Sequence, residues 1–215
     1  MSAQTLYRWS AAALVVSALS VTVGRIIHPT VDAAGLTSPL WGWSHVLWLA
    51  GLVTGMAGVT GLYLRHRAKL GRLGVTGAAL GWLGMALLSG AIYFEAVIEP
   101  ALLDRAPELV DVLVDSAALG SFLAVFLASV MLFAVGFLLF GIALLRARVS
   151  PRWAVLLVIA GSVIGGPQGF LPPPVAIASF LALGTGLAAL GYGLWTSVES
   201  PTRESAVARE AAEPA

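Results

Sequence analysis

Apolar runs of about twenty residues narrow what this chain can become more than any other feature, because a helix apolar on all sides needs a bilayer or a very large core around it. Six such runs occur, over approximately 9–27, 43–64, 73–95, 119–145, 153–168 and 175–195. Hydrocarbon leaves backbone groups no solvent partner, so each run is expected to be a helix that closes its own hydrogen bonds. Composition agrees: 59% of the 215 residues are hydrophobic and 11% charged, against roughly half and a quarter in soluble domains. The reading is an all-α polytopic bundle of six transmembrane helices in the cell (plasma) membrane, one domain over 1–196. From 197 to 215 small, polar and charged residues with Pro201 and Pro214 predict a disordered cytoplasmic tail. Arg8 ahead of the first run suggests a signal peptide, but the run exceeds roughly 7–15 residues and no small-x-small cleavage site follows, so it is read as a retained span.

Loop charge sets the orientation, since Lys and Arg collect on the cytoplasmic side. Arg65, Arg67, Lys69 and Arg72 follow the second run, and Arg146, Arg148 and Arg152 follow the fourth. The third loop carries Asp104, Glu108, Asp111 and Asp115 against Arg105 and is placed outside, with both termini inside. Trp9, Trp153 and Trp195 then fall at the inner boundary and Trp41 and Trp43 at the outer one. Apolar–charged alternation in the third loop predicts short amphipathic helices lying over the outer end. The net charge of +1, with no clustered basic face, excludes a nucleic-acid partner, and the absence of cysteine excludes disulfides, thiolate catalysis and iron–sulfur clusters. A faint repeat aligns Gly61, Arg72 and Gly81 with Gly141, Arg152 and Gly161, which topology alone can produce.

Within the third run Gly74, Gly77, Gly81 and Gly84 form a stripe that, continued through Leu88 and Ala91, reaches Glu95 and Glu99. Small-residue stripes mark close helix contacts in membranes. The expectation is that this stripe meets Gly51, Gly55 and Gly58 of the second run, and that Glu95 points into protein. At about 1.5 Å per residue, His28, His45 and Glu95 come out at one depth near the outer boundary. Arg25 lies one turn below His28, and Gln168 approaches from the fifth run.

Three readings of this cluster stand side by side. One is an Arg25–Glu95 ion pair with histidines capping helix ends, as in a structural subunit of a membrane complex. The second is an outer-leaflet enzyme in which His45 and Glu95 supply acid–base or metal chemistry, with His28, His45, Glu95 and Glu99 as candidate ligands for a divalent ion. The third is a pocket for a small or lipid-like ligand, built from Arg25, His28, His45, Trp48, Glu95, Glu99 and Gln168 with Trp41, Trp43, Tyr93 and Phe94 as walls. The Gly165-Gly166-Pro167 break either points to the same cavity or simply ends the fifth helix ahead of Pro172, Pro173 and Pro174. No cofactor is identified. Retinal needs a lysine within a span, whereas Lys69 is in a loop; a bis-histidine haem needs imidazoles facing each other across the bundle, which consecutive helices at one edge do not provide.

Overall fold

The computed structural model describes residues 2–115, 120–167 and 171–199. Every regular element among them is helical: α1 (Ala3–Ile27), α2 (Ala33–Leu36), α3 (Pro39–Tyr93), a π-helical turn (Phe94–Ile98), α4 (Glu99–Leu103), a 3-10 turn (Pro107–Leu109), α5 (Val110–Val114), α6 (Ser121–Ala147), α7 (Arg152–Gly165) and α8 (Pro173–Glu199). The starts follow local chemistry. Ser2 accepts the amide of Thr5, Asp32 that of Gly35, and Ser38 that of Leu40 just ahead of Pro39, whose fixed φ suits the first helical position.

Among the described residues four stretches are long and apolar enough to cross a membrane: Ala3–Ile27, Pro39–Leu103, Ser121–Ala147 and Pro173–Ser197. The second of these, 65 residues long, doubles back at Gly71. There φ is 58° and ψ −162°, a combination that L side chains strongly disfavour. Residues at near-equal chain distances on either side of Gly71 meet, Gly55 beside Met85, His45 beside Glu95 and Trp41 beside Glu99. α3 is therefore two antiparallel limbs, 39–70 and 72–93. The basic segment between the second and third runs is helical up to this bend, because Arg, Ala, Lys and Leu are good helix formers that carry both limbs beyond their apolar parts. α7 has 14 residues, about 21 Å at 1.5 Å per residue, which is short of the roughly 30 Å of hydrocarbon the fifth run was expected to cross. α8 continues to Glu199, so the start of the expected tail is helical. The rest of that tail lies outside the described residues.

The glycine stripes are interfaces, but not with each other. On the first limb Gly51, Gly55, Gly58 and Gly61 lie against Val21, Ser17, Leu14 and Ser10 of α1, where Ser17 Oγ donates to the Gly51 carbonyl at 2.7 Å. On the second, Gly77, Gly81 and Gly84 face Phe140, Phe137 and Phe133 of α6. The expected glycine-to-glycine seam between the limbs is thus replaced by larger contacts such as Met85 against Gly55. A stripe reports that some backbone approaches closely; it carries no information on which one. α8 packs on α1 and α7, and α7 also touches α6. Leu14, Leu62, Met85, Leu144, Val155 and Leu194 are fully buried among them.

The end of the hairpin remote from Gly71 is closed by the short elements. Leu36, Trp41 and Leu103 form a buried cluster against which Leu109, Val110, Leu113 and Val114 pack. The amphipathic pattern of the acidic loop thus forms short helices that lay their apolar side on the hairpin end and leave Asp104, Glu108 and Asp111 exposed.

Candidate functional site

The polar side chains gather at this closed end. Trp41, Ser44, His45 and Trp48 recur at helical spacing on the first limb and are all buried. His45 Nδ1 lies 2.7 Å from the Trp41 carbonyl, which also accepts from Ser44 Oγ at 2.8 Å. A carbonyl can only accept, so Nδ1 carries a proton and Nε2 turns to Glu95 Oε2 at 3.3 Å. An imidazole held in this tautomer presents a lone pair to the carboxylate, and the contact is attractive only when one further proton lies on the pair.

Four residues further along each limb in opposite directions, Trp41 Nε1 donates to Glu99 Oε2 at 2.8 Å. Glu99 is 4% exposed and His45 2%. Glu95, whose side chain is 20% exposed, is the most accessible member. The π-helical turn at Phe94–Ile98 contains Glu95 and precedes Glu99, and a wide turn takes up an extra residue and so changes the face on which the side chains in and after it lie. Single turns of this kind are frequent where a helix must aim side chains at a site. Glu95 and Glu99 consequently face the first limb while the glycines face α6.

His28 follows the last residue of α1 and holds its Nδ1 2.6 Å from the Pro29 carbonyl. Its ring stacks on Trp48 with centroids 4.8 Å apart and meets the edge of His45 at 5.0 Å. Burial first, then the neighbouring His45 and Arg25, hold this imidazole down to about 3. Trp48 can occupy this position because Gly24 opposite lacks a Cβ, which would stand 2.7 Å from the indole. Its Nε1 donates to the Val21 carbonyl at 3.2 Å, and its far side stacks on Phe180.

The structure therefore brings together His28, His45, Trp48, Glu95 and Glu99 as a packed cluster, not as an open pocket lined by them. Arg25 stands apart from the acids. Among the described residues its Nε is buried without a hydrogen-bond partner and no carboxylate lies within ion-pair distance, so the expected Arg25–Glu95 pair is not formed. Gln168 lies outside the described residues. The candidate metal set His28, His45, Glu95 and Glu99 does not converge: no group of three potential ligands among the described residues is placed to hold an ion. The reason is that His28 turns to Pro29 and Glu99 to Trp41. Of the expected aromatic walls, Trp43 and Tyr93 are exposed, and Phe94 packs on Phe122 of α6. Trp41 belongs in the cluster as a hydrogen-bond donor, a role its position one turn before His45 and opposite Glu99 could have signalled.

Two spaces adjoin the cluster. Beneath Trp48 lies an apolar cavity of about 80 Å3 lined by Ile92, Val130, Phe180, Gly165 and Gly166 among others, so the end of α7 does border a void. On the other flank of the hairpin is a groove of about 460 Å3. Gly42, Val46, Ala96 and Pro100 line it, each the chain neighbour of a cluster residue, with Trp43 and Asp104 at its sides. Trp41–Glu99 and His45–Glu95 thus tie the two limbs together immediately behind the groove. No protein-family model, curated protein or solved structure matches this chain.

Proposed function

We propose that this is a six-span protein of the cell membrane, termini cytoplasmic, that binds a lipid-like ligand in the groove at the acidic end of the α3 hairpin. The observation that carries this reading is the size and make-up of that groove. Its 460 Å3 falls among small-molecule sites of roughly 300–1,000 Å3, mostly apolar with a few polar groups, whereas the 80 Å3 cavity is too small for such a ligand. His45, Glu95, Glu99 and Trp41 act as positioning residues that fix the spacing of the two walls. Acid–base catalysis by His45 and Glu95 is the weaker alternative, because a base must reach a reacting atom and His45 is enclosed by Trp41, Trp48 and His28.

The six-span count rests on the two limbs of α3 crossing separately and on the fifth apolar run of the sequence, which contains α7, crossing as well. The orientation rests on the basic residues at the Gly71 bend and around 146–152, opposite the acidic loop. A C-terminal tag labelled from outside intact cells would overturn it.

Native mass spectrometry of gently extracted protein tests the binding reading. The expected result is a retained lipid in the wild type and its loss in Val46→Trp, which fills the groove from a position already 38% exposed and so removes no core packing. Equal retention in the two proteins would remove the groove from consideration.

A further inference from the structure

The groove's chemistry narrows the ligand further, on the premise that it is the binding site. Its apolar lining includes Trp43, Val46, Pro100 and Leu103, and its polar side chains are those of Thr37, Ser38 and Asp104. Their hydrogen-bonding capacity is one-sided. Thr37 Oγ1 donates to the Ala33 carbonyl at 2.8 Å, leaving its lone pairs. The backbone amides of Thr37, Ser38 and Asp104 donate to Ala33, Gly35 and Pro100 within the chain. Among the described lining residues the donors that remain are the Ser38 hydroxyl proton, whose oxygen already accepts from Leu40, and the indole N–H of the exposed Trp43. Asp104 is exposed and forms no ion pair among the described residues. Among the described residues no Lys, Arg or His lines the groove, and Arg105, the neighbouring cation, is exposed and not part of the wall.

A headgroup of net negative charge needs a cation to offset it, and the described lining of this groove offers a carboxylate instead. An ammonium group brings three donors and a positive charge to a carboxylate and two hydroxyl oxygens, with the exposed Trp43 in the same lining. We infer that the groove selects a phospholipid whose headgroup carries a primary ammonium, with Asp104 and Trp43 at the headgroup and an acyl chain along Val46, Pro100 and Leu103. The discrimination comes from charge: the two lipids share a phosphate, and only the ammonium offsets the Asp104 carboxylate, which repels a headgroup of net negative charge.

The test is competition in nanodiscs of equal parts phosphatidylethanolamine and phosphatidylglycerol, lipids that share a phosphate and differ in the ammonium. Lipid released with the protein is then counted by native mass spectrometry. The expected result is about fivefold enrichment of phosphatidylethanolamine, the upper range of an exposed ion pair, falling to near parity in Asp104→Asn with total occupancy kept. Asp104 is exposed, so that variant does not put folding at stake. Parity or a preference for phosphatidylglycerol in the wild type overturns the ammonium assignment, and lipid binding in the groove still stands if Val46→Trp lowers occupancy. Unchanged occupancy in Val46→Trp overturns both.

Discussion

Trp41 and Glu99 are joined by an indole-to-carboxylate hydrogen bond of 2.8 Å, one helical turn from the 3.3 Å contact between His45 and Glu95. The two pairs hold the open end of the α3 hairpin. Trp41→Phe keeps most of the ring packing and leaves a buried carboxylate without its donor, which costs on the order of 1–3 kcal/mol. A fall in thermal stability in detergent is expected, with recovery in the double variant Trp41→Phe/Glu99→Met, where both polar partners are gone. An unchanged melting temperature in Trp41→Phe would show that the bond contributes nothing.

Gly71→Ala separates backbone strain from steric clash. A Cβ at Gly71 would meet nothing within 4 Å, yet φ of 58° with ψ of −162° is a conformation L residues avoid. The substitution should destabilise by about 1–3 kcal/mol through the backbone alone. Stability equal to the wild type would mean that the two limbs can join without this conformation.

Gly77→Leu should disrupt the contact of the second limb with α6 and not the seam between limbs. The added side chain would meet the backbone of Phe140, so overpacking of about 1–3 kcal/mol or more is expected. Phe140→Ala should fail to rescue it, because trimming a side chain does not move a backbone. Rescue would relocate the contact.

His28 makes stability depend on pH. Its imidazole is held at about 3 in the fold against an ordinary 6.5, so the unfolded chain binds the proton first as pH falls. The His28 contribution is fully present above 6.5 and is lost progressively between 6.5 and 3. Melting curves from pH 7.5 to 4 should therefore show an acid limb that is shallower in His28→Asn. An identical slope in both would place the titration elsewhere.

Much of this arrangement was legible in the residues themselves. Apolar run length announced helices in a membrane, because no other element satisfies its own backbone in hydrocarbon. Depth arithmetic along the runs brought His28, His45 and Glu95 to one level, since helical rise is the same in every helix. The amphipathic pattern of 100–114 announced the short helices that now cover Trp41. Other features were not legible. Gly51, Gly55 and Gly58 fit any close backbone, and that α1 and not the second limb supplies it is a property of the whole bundle. Arg25 lies one turn from the depth of Glu95, but an ion pair also needs the two side chains to meet, and among the described residues they do not.

What the sequence determined alone was local and one-dimensional: which apolar segments are helical, which side of each is small, and which connecting segments carry which charge. These follow from backbone hydrogen bonding, residue size and a constant helical rise. Tertiary structure decided which faces meet. It seated the second limb's glycines on α6, used the π-helical turn to aim Glu95 and Glu99 at His45 and Trp41, and left Gly42 opposite Ala96 and Pro100 as the floor of a groove. The physical reason is that interior packing is a joint property of all the helices at once, and a stripe on one of them constrains its partner's distance without naming the partner.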